Sequence, residues 1–280
     1  MWTGLIALVI VASHYPRWRL KRALAQPLSA AALAVLERDI PIYARMPAEL
    51  KAQLQRLVIQ FLHQKRFVAC AGLELSDEMR VTIAGQACLL LLNRPTKVYP
   101  ALHTILVYPT AFVVERNEVG PGGVVTHSAH GLLGESWGDG RVILAWDHVQ
   151  RGALGWAQGH NVVLHEFAHQ LDSESGVPNG APFLGDLSSY RSWAAVLSRD
   201  YANLRYDATY RQHTVLDHYG ANSPAEFFAV ATETFFVQPQ QMAQHHPDLF
   251  AELKKYYKVD PGAWLSAPAL AVPDTHGAAV

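Results

Sequence analysis

The chain of 280 residues is long enough to bury a sizeable core, and with half of its residues apolar and 17% charged it has an ordinary globular composition. A formal net charge of -1, with no run of like charge, lacks the basic excess that nucleic-acid binders use against phosphates, so no direct nucleic-acid binding is expected. Cys70 and Cys88 fit neither a C-x-x-C motif nor a disulfide framework and are expected to be buried thiols, whereas histidine is abundant, with 14 residues.

At the N-terminus, Gly4 to Ala12 reads G-L-I-A-L-V-I-V-A, too short to span a bilayer, which takes roughly 20 apolar residues. Arg17, Arg19, Lys21 and Arg22 follow this run rather than precede it, which argues against a secretory signal. Residues 1–26 are therefore expected to form either a packed helix or a weak membrane-surface anchor acting through residues 4–22, on a cytoplasmic protein.

From Pro27 the pattern is helical. Ser29 is placed to cap L-S-A-A-A-L-A-V-L-E-R-D, and the stretch from Pro47 repeats apolar residues at three- and four-residue spacing. A third helix is expected from Ser76. The period then changes: T-I-L-V-Y-P, A-F-V-V-E and R-V-I-L-A-W are short β-branched runs bounded by turn residues, which predict a sheet of three or four strands. A glycine-rich connection or hairpin lies between them. Helix returns from Trp156, again around Tyr190 to Tyr201, and again in S-P-A-E-F-F-A-V-A-T-E-T-F-F, with Ser223 as cap and Pro224 at the first position. The fold class is thus α+β: one domain over residues 27–262, followed by a flexible tail over 263–280.

The chemistry concentrates in V-V-L-H-E-F-A-H-Q-L-D, residues 162–172. On an α-helix, residues four apart share a face, so His165 and His169 can point at one ion. Glu166 is turned about 100° from His165, too far to bind beside it but able to reach a water at the same ion. Neutral imidazoles to hold zinc and a carboxylate to take a proton from water are what metal-assisted hydrolysis requires. Phe167, Ala168 and Leu171 mark the helix as buried, and buried histidines and a glutamate carry a desolvation cost unless paired or metal-bound.

A catalytic zinc usually has a third protein ligand. Candidates downstream are Glu226, Glu233, Asp172, Glu174, His213, His218, His245 and His246. Asp172 can orient an imidazole from the same helix, and Glu174 is expected to be solvated in a loop. Glu226 opens an otherwise apolar helix, but a glutamate at that position also suits a capping box, so ligand and cap stand as equal readings. Glu233, two turns on along the same face, is its competitor or a supporting acid.

The combination of L-H-E-F-A-H-Q-L-D, G-A-P and Y-G-A-N-S-P-A-E-F-F-A-V-A-T-E-T-F-F resembles the Mlc titration factor A family of bacterial zinc peptidases. F-L-H-Q-K-R-F, V-Y-P-T-A-F-V-V, G-E-S-W and V-I-L-A-W extend the likeness in pieces from Phe61 to Pro247. The site is also similar to that of the anthrax lethal factor catalytic domain. The resemblance implies a zincin-like fold whose small central sheet follows a helical N-terminal part and whose C-terminal helical half carries the site. It implies one Zn2+ held by His165, His169 and Glu226, with Glu166 as the base and Tyr219 facing the site to steady an oxyanion. It implies a peptide or protein substrate, an aminopeptidase activity, and a regulatory alternative in which the protein sequesters a transcriptional repressor. In some members a further histidine ahead of G-x-S-W reaches the zinc; His127 and His130 lie in that stretch, neither in register with it. A purely structural zinc is disfavoured, because structural sites usually close four ligands, often cysteines.

Overall fold

The computed structural model describes residues 18–95, 97–119, 125–132, 134–137, 140–156 and 159–266, with the backbone alone between 112 and 137. The apolar run Gly4 to Ala12 and the tail beyond Ser266 lie outside the described residues. Residues 18–24 are helical, and no helix among the described residues is long and apolar enough to cross a membrane.

The first layer is helical: α1 (Ala30–Asp39), α2 (Ala48–Gln64) and α3 (Asp77–Leu89). Ser29 caps α1 as expected, and Ser76, just ahead of α3, caps it likewise, each hydroxyl accepting a backbone N–H of the first turn. Helix α3 is buried from Val81 to Leu89 and packs against both α1 and α2. Gly85 makes the α1 contact possible, because a β-carbon there would lie 2.5 Å from Ile40 and 2.6 Å from Leu36.

The strands are β1 (Arg66–Ala69), β2 (Thr104–Tyr108), β3 (Phe112–Val119), β4 (Val125–Leu132), β5 (Gly134–Trp137) and β6 (Arg141–Ala145). They form a four-stranded sheet of order β1-β2-β6-β5 and a separate two-stranded hairpin, β3-β4. Strands β1, β2 and β6 run parallel, with Phe67 opposite Ile105 and Ile105 opposite Val142, and β5 closes the edge antiparallel to β6. Val142 to Ala145 are all buried, as the inner strand of a parallel sheet requires. The expected sheet is present, but A-F-V-V-E belongs to the hairpin rather than to it.

The second helical layer holds α4 (Trp146–Leu154), α5 (Val162–Asp172), α6 (Leu187–Tyr210), α7 (Pro224–Val237), α8 (Pro239–His245), α9 (Pro247–Tyr257) and α10 (Pro261–Ser266). Helix α4 was not anticipated: it follows β6 without a turn residue, and its cap, Ala145, offers no side-chain bond. Helix α6 runs well past the expected Tyr190–Tyr201 on both sides, from a cap at Asp186. Helix α10 carries buried Trp264, beyond the boundary expected at 262.

Helix α5 is central, packed against β5, β6, α3, α4 and α7. Its inner face is pinned by Phe167, whose ring meets Tyr99 at 4.8 Å and Phe61 at 5.6 Å between centroids. Burying a phenylalanine this way contributes about 1.5–3 kcal/mol, and it directs the opposite face, which bears the histidines, away from the core. Cys88 is buried, Cys70 is half-buried, and both are free thiols.

Candidate metal centre

Asn161 starts α5. Its backbone is extended and its side-chain oxygen accepts the Leu164 N–H at 2.9 Å. That start places His165 and His169 one turn apart on the face turned toward α7, their ring centroids 4.9 Å from each other. Across from them, Ser223 caps α7 by accepting the Glu226 N–H at 3.2 Å, with Pro224 in the first turn. From Phe227 to Val237 that helix is wholly buried. Glu226 and Glu233 are its acids, two turns apart on one face.

His165 lies between these two acids. Its Nδ1 is 2.7 Å from Glu233 Oε1, and its Nε2 is 3.0 Å from Glu226 Oε2. His169 Nε2 completes the group, 3.2 Å from His165 Nε2 and 3.5 Å from Glu226 Oε2. The backbone N–H of Glu226 is capped by Ser223, while its carboxylate turns to the imidazoles. Glu233 meets the other side of His165, and its second oxygen accepts the Asn161 N–H at 2.6 Å.

This donor set fits a metal ion. With Nδ1–H donated to Glu233, His165 presents only a lone pair at Nε2, which faces a carboxylate oxygen and a second imidazole nitrogen. Converging acceptors of this kind are satisfied by positive charge among them, either a metal ion or a proton on an imidazole. Ligand atoms set tetrahedrally at ordinary zinc bond lengths stand about 3.3 Å apart. The three observed separations, 3.0, 3.2 and 3.5 Å, bracket that value. His165, His169 and Glu226 form the cluster of metal-ligating atoms found among the described residues.

Glu166 is 5% exposed. Burial pushes its carboxyl up to about 6, the imidazoles of His165 and His169 oppose that rise, and Glu226 and Glu233 add to it. Burial also disfavours an ionised Glu226, yet its bonds to the two imidazoles hold it down to about 2. Burial and the histidines thus push two carboxylates of one cleft in opposite directions.

Tyr219 sits on a 3-10 turn, His218–Ala221, with its ring centroid 5.9 Å from that of His165. Burial, Glu226 and Glu166 all raise its phenol above the ordinary value, so it remains a hydrogen-bond donor. Gly220 lets the turn lie flat on α7: a β-carbon there would stand 3.0 Å from Leu204 and 3.2 Å from Val230.

Other expected acids have different partners. Asp172 accepts the Gly180 N–H at 2.7 Å, so it ties down the following loop rather than an imidazole. Glu174 is not solvated; it lies 3.6 Å from the buried guanidinium of Arg94, a contact between distant segments. His127 and His130 are on β4, paired with Asn117 and Val114, and their side chains lie outside the described residues. The alternative histidines His218 and His246 bond elsewhere, to the Gln212 carbonyl and to Asp200.

The family described as Glucose-regulated metallo-peptidase M90 matches residues 15–258. The chain belongs to this family. Among its relatives, an uncharacterized protein of Synechocystis sp. is 40% identical over 259 residues, covering 92% of this chain and 94% of the relative. Mlc titration factor A of Salmonella gallinarum is 33% identical over 233 residues, covering 82% and 87%. Mlc titration factor A of Enterobacter sp. is 33% identical over 225 residues, covering 79% and 84%. Membership of the M90 metallopeptidases implies a metal ion, and the cluster at His165, His169 and Glu226 is the candidate site for it.

Proposed function

We propose that this M90 protein is a zinc-dependent, zincin-like peptidase, with zinc held by His165, His169 and Glu226. The observation that carries the reading is the convergence of their three ligand atoms at tetrahedral spacing beside a buried glutamate of raised pKa. A zinc ion held there supplies Lewis acidity that polarises a peptide carbonyl and acidifies water. Glu166 takes a proton from the attacking water and passes it to the leaving amine. Tyr219 donates its phenol hydrogen to the oxyanion. Glu233 keeps His165 in the tautomer whose Nε2 is free to bind. An aminopeptidase preference and a cytoplasmic location, with weak membrane contact through residues 4–22, complete the reading.

Glu166→Gln tests it. The amide cannot accept the proton, so hydrolysis falls about 10^2- to 10^4-fold while zinc content stays stoichiometric. Unchanged turnover by zinc-loaded Glu166→Gln protein would sink the mechanism.

The relatives' name, Mlc titration factor A, favours a second reading, in which the protein sequesters a transcriptional repressor and hydrolysis is secondary. Pull-down of the repressor by Glu226→Ala protein separates the two. Capture that survives loss of zinc supports sequestration by surface contact alone.

A further inference from the structure

His160 and Asp217 have no part in the mechanism above, yet they join the two segments that carry it. Asp217 Oδ1 accepts the Tyr219 N–H at 2.6 Å, and His160 Nε2 lies 3.2 Å from Oδ2. The next residue, Asn161, gives its N–H to Glu233 and caps α5. The two residues ahead of the zinc helix are therefore tied on one side to the acid that orients His165 and on the other to the turn that bears Tyr219.

We propose that Asp217, braced by His160, is a positioning residue that sets the Tyr219 phenol against the metal site; this rests on the peptidase reading above. Tyr219 is 55% exposed and its ring is covered on the side of His165, so the backbone of the turn sets much of where the phenol lies. The rear of the turn is fixed by Gly220 against α7 and by the Tyr201 hydroxyl, which donates to the Ala221 carbonyl at 3.2 Å. Its front is fixed by Asp217. A cap of the turn alone would use one carboxylate oxygen, whereas here the second reaches the entry of α5. The His160 contact is largely solvent-exposed, which keeps the pair's effect modest.

The test uses zinc-loaded, full-length protein and four variants: Asp217→Ala, Asp217→Asn, Tyr219→Phe, and Asp217→Ala combined with Tyr219→Phe. Misplacing the phenol should lower kcat about 10-fold in Asp217→Ala, with KM and zinc content unchanged. Asp217→Asn, whose amide oxygen still accepts the Tyr219 N–H, should keep most of the activity. The double variant should be no slower than Tyr219→Phe. A second readout does not depend on turnover: in protein labelled with 3-fluorotyrosine, the 19F resonance lost in Tyr219→Phe should shift on zinc addition, and Asp217→Ala should abolish that shift. Multiplicative losses in the double variant, or an intact zinc-induced shift in Asp217→Ala, overturn the proposal. So does a KM rise confined to peptides with a free α-amine, which would make Asp217 an amine anchor. If Glu166→Gln leaves turnover unchanged, the peptidase reading fails on its own, and the fluorine measurement still decides the role of Asp217.

Discussion

Both helical layers bury carboxylates, but they satisfy them in opposite ways. Between α1 and α3, buried Asp39 receives the Arg38 guanidinium at 2.6 and 2.9 Å and the Thr82 hydroxyl at 2.5 Å, while Arg38 also reaches Glu78 at 2.7 Å. Both oxygens of Asp39 meet donors from the protein. Between α5 and α7, Glu226 Oε2 and two imidazole nitrogens converge within 3.5 Å of one another, with the His165 proton already committed to Glu233. With His165 neutral, that network has no donor of its own among the three atoms, and positive charge entering the candidate metal site would close it. A buried charge that is paired braces helices, whereas a buried cluster of acceptors costs stability until something positive enters it.

The contrast is broken most severely at α7. Glu226→Ala should abolish stoichiometric zinc binding, whereas Glu233→Ala, which only frees His165 to turn, should weaken affinity about 10- to 100-fold. Zinc content after dialysis, with chelator competition for the affinities, checks both. Greater loss in Glu233→Ala would move the third ligand to Glu233. Chelation of the wild-type protein is the next largest effect. A ligand present at a thousandfold excess over its Kd stabilises the native state by about 4 kcal/mol, so a chelator should lower Tm reversibly. The same chelator should leave the Tm of Glu226→Ala unmoved, and an equal drop in that variant would place the stabilising metal elsewhere.

The metal half of this contrast was more legible in the sequence than the bracing half. H-E-x-x-H on a buried helix states its chemistry through spacing alone, and Ser223-Pro224 announces the start of α7. From its own residues Glu226 was ambiguous, because a capping-box glutamate and a metal ligand have the same signature; the resemblance favoured the ligand, and the packing of α7 against α5 sets its carboxylate beside the two imidazoles. Glu174, expected to be solvated, instead lies by Arg94, a partner from a distant segment that the local sequence does not reveal. Asn161 carries a readable signal, a capping residue ahead of an apolar helical run. Helix α4 carried none, for it enters directly from a strand with alanine at its cap.

The smallest effect lies in the Asp39 network. Asp39→Ala removes the acceptor of the buried Thr82 hydroxyl and of an Arg38 that is half in solvent. The guanidinium can be re-solvated, so the loss comes mainly from the stranded hydroxyl and should be about 1–3 kcal/mol. For a domain of this size that lowers Tm by about 2–4 °C for each kcal/mol. Zinc content and kcat of the folded protein should not change, because α1 and α3 brace the molecule without contributing a donor to the metal site. Thermal melts paired with metal analysis check this, and a parallel loss of zinc in Asp39→Ala would show that the two networks are coupled through the α3–α5 contact.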